Sequence, residues 1–244
     1  MGRPKYSICM TTYNTIKTID KCFKSLLRQI DDRFEIIVVD NLSSDGTEKY
    51  LEKLALEGKI RLIKRKCSRG LGRQIAAENA LGDVLIQQVD ADQVYGKFLN
   101  DAVEFFEKES VRDPEVLVFI KEKRKIGGLE REPSTVSIVY RNVFLSKTRW
   151  PDINYGEDQH VYDPFIKGGH IREFFVYGYA VQLKGNIVSQ MANRFAVYQQ
   201  YFMSGFNLAQ VTYSTKYHSL LFFVRAFYVH ITYLYFLIKN CLRV

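Results

Sequence analysis

Three short stretches of the sequence place oxygen-bearing side chains directly after runs of apolar, β-prone residues. They are Thr11-Thr12-Tyr13-Asn14, Asp40-Asn41 and Asp90-Ala91-Asp92. Two aspartates two residues apart do not suit a hydrophobic core, because a carboxylate is costly to bury unless it is paired or bound to a metal. Carboxylate oxygens suit Mg²⁺ or Mn²⁺, which keep open positions for the oxygens of a substrate phosphate. The pattern therefore predicts a divalent-cation site for a phosphorylated ligand, formed around Asp90 and Asp92.

The apolar runs that precede these side chains belong to a regular alternation of strand and helix patterns. They predict strands at 6–10, 35–39, 60–63 and 84–89, with amphipathic helices between them and from about 97 to 107. Strands that alternate with helices through short turns form right-handed βαβ units and a parallel sheet covered by helices. Ligands of such sheets bind outside the carboxyl ends of the strands. The predicted α/β fold thus brings the three polar stretches to one edge.

The pattern changes from position 116 onwards. Residues 116–120 and 136–140 predict two more strands, and the basic, Gly-containing connection 121–132 predicts a mobile surface loop. A lid that grips a ligand is the alternative interpretation of this connection. There is no internal repeat and no Pro/Ser-rich linker. We therefore expect one main domain at 1–175 and a helical, basic and aromatic extension at 176–244.

Composition excludes several classes of protein. The chain has 244 residues, of which 47% are hydrophobic and 25% charged, which argues against disorder. Its four cysteines are scattered and form no C-x-x-C pair, so neither a disulfide framework nor a structural zinc site is expected. The first residues contain no apolar signal region. These features predict a cytoplasmic protein with reduced thiols.

The formal net charge of +8 is unevenly distributed. Residues 174–244 contain six basic residues, no acidic residue and 18 of the 33 Phe and Tyr residues, whereas 1–173 contain 29 bases and 27 acids. Within the tail, a polar residue recurs every seven positions, at His218, Arg225, Thr232 and Lys239. On a helix these residues form one narrow stripe in an otherwise apolar surface.

This stripe predicts a helix that lies in a membrane interface with its basic residues towards the headgroups. We therefore expect peripheral contact with the cytoplasmic face of a membrane through 218–240. The alternatives are a helix that packs on its own domain or in a homodimer, and a single membrane span. Arg225 disfavours the span, because an arginine near the bilayer centre costs about 2.5–3.5 kcal/mol.

Five segments, in order, resemble the family 2 glycosyltransferases of GT-A fold. Residues 7–14 resemble the opening strand of that family, and residues 35–47 resemble its strand and turn, which is usually rich in D-G-S-x-D-G-T. Residues 70–83 are similar to the helix before the metal motif, Asp90-Ala91-Asp92 matches the D-x-D motif, and Gly156-Glu157-Asp158 resembles the E-D segment. The resemblance covers roughly residues 5–175. It implies a Rossmann-like, mixed and mainly parallel sheet flanked by helices.

The resemblance also implies the activity. It identifies an inverting, metal-dependent transferase that moves one sugar from a UDP- or GDP-linked donor to an acceptor hydroxyl of a lipid or glycan. Its implied residues for the nucleotide sugar are Thr11, Tyr13, Asn14, Asp40, Asn41, Asp90 and Ala91. Asp92 then binds Mn²⁺ or Mg²⁺ directly, with Asp90 near the ribose and the metal. Asp158 is the implied general base for the acceptor hydroxyl, with Glu157 beside it.

The diphosphate needs further partners. No Walker A sequence is present, and the Gly-Leu-Gly-Arg segment at 70–73 lacks the third glycine of the dinucleotide fingerprint. We therefore expect the metal and basic side chains to hold the phosphates, with Arg69 and Arg73 as the nearest candidates. The alternative for each arginine is a solvated residue at a helix start. His160 and His170 are additional candidate metal ligands, although a lone histidine is more often a surface or packed residue.

Structural alternatives exist for two other residues. Asp158 could cap the helix that follows it. Trp150, the only tryptophan, could form an acceptor platform or a core anchor.

Other functions remain open on the sequence. A polyprenyl-phosphate sugar synthase is the alternative enzyme, because the Gly-Leu-Gly segment at 70–72 resembles that group, although its typical late motif is not evident. A non-catalytic nucleotide-binding module recruited to membranes is the alternative of another class. Nucleic acid is not an expected partner, because an acidic sheet edge repels phosphate without metal and no recognised binding module is present.

Overall fold

The computed structural model describes most of the first three quarters of the chain. The described residues are 3–126, 129–131, 136–154, 157–177 and 180–182. The chain divides into two units, Met1–Lys184 and Gly185–Val244, and every described residue belongs to the first. The predicted interfacial helix at 218–240 therefore lies outside the described residues. Among the helices that are described, none has the length and apolar character needed to cross a bilayer.

The described elements alternate between strands and helices over the first half of the chain, as predicted. In order they are β1 Tyr6–Thr12, α1 Ile16–Leu27, β2 Phe34–Asp40, α2 Thr47–Leu56, β3 Arg61–Lys64, α3 Arg69–Asn79, β4 Val84–Gln87, β5 Gln93–Tyr95, α4 Leu99–Arg112, β6 Leu117–Ile126, β7 Leu129–Arg131, β8 Val136–Tyr140, α5 Arg141–Lys147, α6 Glu157–Val161, α7 Asp163–Lys167, β9 Ile171–Tyr177 and β10 Ala180–Gln182. The predicted α/β fold is confirmed.

The main sheet is mixed and mainly parallel. Its strand order is β3-β2-β1-β4-β8-β6-β7, and β9 pairs with β6. Strands β3, β2, β1 and β4 run parallel, whereas β8 is antiparallel to both β4 and β6. The register pairs Thr12 with Asp40, so β1 and β2 end at the same level. The strand-end side chains therefore do share one edge of the sheet.

Two hydrophobic clusters cover the two faces of this sheet. Successive residues of a strand point to opposite faces, so Ile8 and Met10 belong to the cluster under α1, α2 and α4, and Cys9 belongs to the cluster under α3 and α5–α7. Burial on both faces explains why the central residues of β1 and β2, at 8–10 and 36–39, are continuous apolar runs rather than alternating ones. The resulting three-layer arrangement fixes the strand ends from both sides.

The described residues of the basic connection at 121–132, namely 121–126 and 129–131, form strands, so the prediction of a mobile loop is wrong for them. Strand β6 continues to Ile126 and forms a hairpin with β7, in which Lys125 pairs with Glu130. On its other side β6 pairs in parallel with β9, where Lys121 faces Phe175. These neighbours satisfy the backbone donors and acceptors that the loop interpretation left to water.

The described structure also continues past the expected domain limit at 175. Strand β9 crosses that position, and β10 pairs antiparallel with β5, where Val181 faces Val94. Strand β5 itself follows the Asp-Ala-Asp segment and had no counterpart among the predicted elements.

Candidate active site

The loops after β1 and β2 are joined by polar contacts that turn their backbones. Asp40 is fully buried, and its carboxylate accepts hydrogen bonds from the backbone N–H (2.9 Å) and the hydroxyl (2.6 Å) of Ser43. Asn14 has a φ of 50° and accepts a hydrogen bond from the N–H of Ser44 at 2.9 Å. Asn tolerates this left-handed conformation better than most residues. Asp40 and Asn14, which are both predicted to bind the nucleotide-sugar donor, thus form one hydrogen-bonded floor.

The other residues of this floor that are predicted to bind the nucleotide-sugar donor differ in exposure. The side-chain oxygen of Asn41 accepts from the N–H of Cys67 at 2.9 Å, which fixes the connection between β3 and α3. Thr11 is half-buried, and Tyr13 is 56% exposed. Tyr13 is therefore the most exposed member of this set.

The Asp-Ala-Asp segment follows β4 at the same edge. Asp90 is held through its backbone, since its N–H donates to the Tyr95 hydroxyl at 2.7 Å and its carbonyl accepts from that hydroxyl at 3.2 Å. Ala91 is buried, whereas the Asp90 and Asp92 side chains are partly exposed. The segment therefore turns two carboxylates outward around a buried alanine.

These two carboxylates fit a hard divalent cation that is shared with a substrate. They offer oxygen donors at the sheet edge, and both are partly open to solvent. Among the side chains that the structure describes, no three His, Cys, Asp or Glu residues gather into a metal cage. A cation bound by one or two carboxylates takes its other ligands from substrate phosphate and water, as Mg²⁺ commonly does. The donor set thus suits the predicted Mn²⁺ or Mg²⁺.

The structure describes the side chain of one of the two candidate histidines. The side chain of His160 lies outside the described part of the chain. The ring nitrogens of His170 face Asp113 at 3.0 Å and Glu115 at 2.9 Å. Both carboxylates precede β6, whose first residues lie at the opposite edge of the sheet from Asp90. His170 is therefore an ion-pair partner at the far edge, which agrees with the surface or packed residue that the sequence favoured over a metal ligand.

Arg73 connects the Asp-Ala-Asp segment to the E-D segment. Its guanidinium is 2.7 Å from Glu157 Oε1 and 3.3 Å from Asp90 Oδ1, and the side chain is almost completely buried. It also lies 5.0 Å from the centre of the Trp150 ring, within cation–π range. Arg73 is thus not a solvated helix-start residue, and its ion pairs make it a link between two predicted site segments.

Of the two carboxylates that pair with Arg73, Glu157 is the buried one. It is 4% exposed, and burial raises the pKa of its carboxyl above the ordinary value, while the positive charge of Arg73 opposes that rise. Arg69 contributes less, at 3.9 Å and with a side chain that is 48% exposed. Glu157 therefore anchors the start of α6, and the partly exposed Asp158 is the E-D carboxylate that faces open space.

Trp150 is a core anchor and not an acceptor platform. It is 1% exposed and packs in the cluster beneath α3. Its indole N–H donates to Gln87 Oε1 at 2.6 Å, and its backbone N–H donates to Gln74 Oε1 at 2.9 Å. A buried tryptophan needs such a partner. Trp150 therefore offers no open ring face to a ligand.

The two glycines of the Gly-Leu-Gly-Arg segment allow close backbone approach. A Cβ on Gly70 would lie 2.0 Å from the carbonyl oxygen of Pro151, and one on Gly72 would lie 2.3 Å from Thr11 Oγ1. The N–H of Gly70 also donates to the carbonyl of Ile153 at 3.0 Å. Helix α3 thus packs directly on β1 and on the loop before α6, which explains the glycines without a phosphate cradle.

Asp158 lines a cavity of about 450 Å³ that sequence reasoning did not find. Gln88, Lys121 and Tyr162 are among the other lining residues. Gln88 has a φ of 60°, a conformation that is rare for a non-glycine residue and costs about 1–3 kcal/mol. Its side-chain carbonyl accepts a hydrogen bond from the Tyr162 hydroxyl, which holds the turn between β4 and Asp90. The polar Gln-Gln pair at the end of an apolar strand was the available signal, whereas nothing local marked Tyr162.

Comparison with known proteins identifies a family. A model described as Glycosyl transferase family 2 matches residues 7–163. The putative glycosyltransferase EpsE of Bacillus subtilis is 30% identical over 109 residues, which are 43% of this chain and 39% of EpsE. The poly(ribitol-phosphate) β-N-acetylglucosaminyltransferase TarS of Staphylococcus aureus is 32% identical over 110 residues, 43% of this chain and 19% of TarS. The chain thus spans about two fifths or less of the length of these curated relatives.

Solved structures share the fold. The crystal structure of S. aureus TarS 1–349 in complex with UDP has a TM-score of 0.58 at 20% identity, covering 71% of this chain and 60% of that one. Glucosyl-3-phosphoglycerate synthase from Mycobacterium tuberculosis, in complex with Mn²⁺ and UDP-glucose, has a TM-score of 0.61 at 18% identity, covering 84% and 80%. These likenesses confirm the predicted GT-A architecture of the described residues.

Proposed function

Because the chain belongs to glycosyl transferase family 2, we propose that it transfers one sugar from a nucleotide-sugar donor to an acceptor hydroxyl, with inversion at the anomeric carbon. One observation carries this proposal. Arg73 joins the Asp-Ala-Asp segment, at the sheet edge, to the E-D segment, whose second carboxylate lines a cavity. A donor-binding edge and an acceptor-activating carboxylate are thus held next to each other by a buried ion-pair network.

The donor side is formed by the strand ends. We assign the nucleotide to the floor that Thr11, Tyr13, Asn14, Asp40 and Asn41 provide. A UDP-linked donor is favoured, because the solved TarS and glucosyl-3-phosphoglycerate synthase structures contain UDP or UDP-glucose.

The diphosphate lies against the Asp-Ala-Asp segment in this proposal. Asp90 and Asp92 would hold Mn²⁺ or Mg²⁺, which when bound neutralises charge on the departing diphosphate. Arg73 keeps Asp90 in place through its ion pair, and Arg69, which is half-exposed, can approach the phosphates from the start of α3.

The acceptor side depends on Asp158. Its carboxylate accepts the proton of the acceptor hydroxyl as that oxygen attacks the anomeric carbon from the face opposite the leaving group. Glu157 does not take this proton in our proposal, since it is buried against Arg73. Glu157 instead fixes the backbone that carries Asp158. The Glu157 carboxylate thus positions the backbone and the Asp158 carboxylate reacts with the acceptor hydroxyl, which accounts for the order of the E-D pair.

A ligand panel tests the proposed activity. We expect UDP-sugars, in the presence of Mn²⁺, to raise the melting temperature in a concentration-dependent way, more than GDP- or dTDP-sugars do. A ligand at a hundred times its Kd stabilises a protein by about 2.7 kcal/mol. Slow release of UDP from the stabilising donor, with water as acceptor, is expected in parallel. Stabilisation without any release of UDP would favour the non-catalytic module, and no stabilisation by any nucleotide sugar would overturn both.

We further propose that the unit beyond Lys184 attaches the enzyme to the cytoplasmic face of a membrane, which favours a lipid-linked or membrane-proximal acceptor. The support is the seven-residue recurrence of His218, Arg225, Thr232 and Lys239 and the absence of acidic residues from 174–244. We expect the full chain to float with anionic liposomes and a chain that ends at Tyr217 to remain below. Unchanged flotation of the shortened chain would contradict the proposal, and a halved mass of the shortened chain in solution would identify residues 218–244 as a homodimer contact.

A further inference from the structure

The cavity beside Asp158 has one apolar wall. Phe119 and Tyr162 form an edge-to-face pair with ring centres 4.7 Å apart and planes at 78°. The Tyr162 hydroxyl is fixed between Gln88 and Ser137, so the pair is held rigidly. Ile166 extends this wall to the surface, where its side chain is 59% exposed. A rigid aromatic pair continued by an exposed aliphatic side chain suits a ligand with a flat apolar face.

A second part of the cavity lining, next to Phe119 in the sheet, is polar. Lys121 Nζ and Glu173 Oε1 form an ion pair at 2.5 Å, and both side chains are about one-third exposed. The strand register explains the pair, because β6 and β9 run in parallel with Phe119 opposite Glu173. The pair offers ammonium donors and carboxylate acceptors on one edge, which is the arrangement that recognises hydroxyl groups.

The charge of the described lining disfavours an anion. The charges of Lys121 and Glu173 cancel, so the net charge of the described lining is the negative charge of the Asp158 carboxylate. A phosphate or carboxylate on the ligand would meet that carboxylate at close range, where like charges repel. A volume of about 450 Å³ is within the usual range for small-molecule sites.

We propose that this cavity is the acceptor subsite and that it takes an uncharged sugar ring, with the C–H face on Phe119 and Ile166, the hydroxyl edge at Lys121–Glu173, and one hydroxyl at Asp158. The inference rests on the proposed function, because it uses Asp158 as the base. It goes further in naming the chemical class of the acceptor. It also supplies the surface that Trp150, buried in the core, does not provide.

The test compares neutral and phosphorylated sugars as acceptors for the full chain, with a UDP-sugar as donor. The probes are methyl glycosides of glucose, galactose and N-acetylglucosamine, and the 6-phosphates of the same sugars, each measured by direct binding and by transfer. We expect at least one methyl glycoside to bind about tenfold more tightly than its 6-phosphate. Tighter binding of the 6-phosphates, or no binding of any methyl glycoside, would overturn the inference.

Variants locate the binding. Ile166→Trp is expected to raise the KM for the methyl glycoside about tenfold, because the larger side chain fills the mouth of the cavity, with the donor-induced rise in melting temperature as a check that the variant folds. Glu173→Gln, which leaves the Lys121 ammonium unbalanced, is expected to shift preference towards the 6-phosphates. Val111→Trp is the control, since Val111 is an exposed apolar residue on α4 and lines no part of the cavity.

The outcomes separate the two levels of proposal. If UDP is released in the presence of donor but the cavity variants leave the acceptor KM unchanged, the acceptor assignment fails and the transferase remains. If no nucleotide sugar binds or reacts, the proposed function fails first, and methyl glycoside binding that is sensitive to Ile166→Trp would then support a sugar site without transfer.

Discussion

Replacement of Asp158 by asparagine is expected to lower kcat for sugar transfer by about 10²–10⁴-fold, the usual contribution of a positioned general base. Asparagine keeps the size of the side chain and its place on the cavity wall, but its amide cannot take the proton from the acceptor hydroxyl. Donor binding should persist, because the donor floor and the Asp-Ala-Asp segment are separate from Asp158. Transfer rates at saturating donor, together with the donor-induced rise in melting temperature, measure the two effects independently.

The control for this change is Asp163→Asn. Asp163 is an exposed aspartate five residues further on, at the start of α7, and it forms an ion pair with Lys167 at 3.7 Å. Its replacement should leave transfer close to the wild-type rate, since exposed ion pairs contribute little. A turnover of Asp158→Asn similar to that of this control would remove Asp158 as the base. Attention would then pass to Glu157, whose burial against Arg73 argues against that role.

The parts of the structure that could be predicted are those that depend on local sequence. The Thr-Thr-Tyr-Asn stretch and Asp40 could be placed together, because strand patterns and the parallel topology predict where the strands end. The structure agrees, since Thr12 pairs with Asp40 in the register of β1 and β2. Glycines at 70 and 72 could be noticed but not explained from sequence. Their reason is contact with Pro151 and Thr11, which are distant along the chain.

The parts that could not be predicted depend on contacts between distant segments. Arg73 and Glu157 are 84 positions apart, and no periodicity indicates that they pair. The extension of β6 was missed because its basic residues have weak β-propensity, and pairing with β9 outweighs that preference. The cavity follows from the same pairing, since it brings Glu173 beside Lys121. Tertiary contacts therefore decided the cavity beside Asp158, and local patterns decided the polar strand ends.

Replacement of Asp92 by asparagine is expected to abolish the part of donor binding that depends on Mn²⁺. An amide oxygen is a weaker ligand than a carboxylate and carries no charge to hold the cation against water. Loss of charge neutralisation at the diphosphate costs several kcal/mol, and about 3–4 kcal/mol corresponds to a factor of about 10²–10³ in kcat/KM. Asp92 is preferred to Asp90 for this test, because Asp90 also pairs with Arg73 and its loss would disturb the link to Glu157.

The measurement is the donor-induced rise in melting temperature with and without Mn²⁺, compared among wild type, Asp92→Asn and Asp32→Asn. Asp32 is an exposed aspartate in the turn before β2, so its replacement controls for the loss of one negative charge. The wild type and the control should bind the UDP-sugar more tightly with Mn²⁺, and the Asp92 variant should bind it equally weakly in both conditions. If the Asp92 variant keeps the full Mn²⁺ effect, the cation is bound elsewhere. If neither Mn²⁺ nor Mg²⁺ changes donor binding by the wild type, Arg69 becomes the residue expected to neutralise the diphosphate, because Arg73 already pairs with two carboxylates.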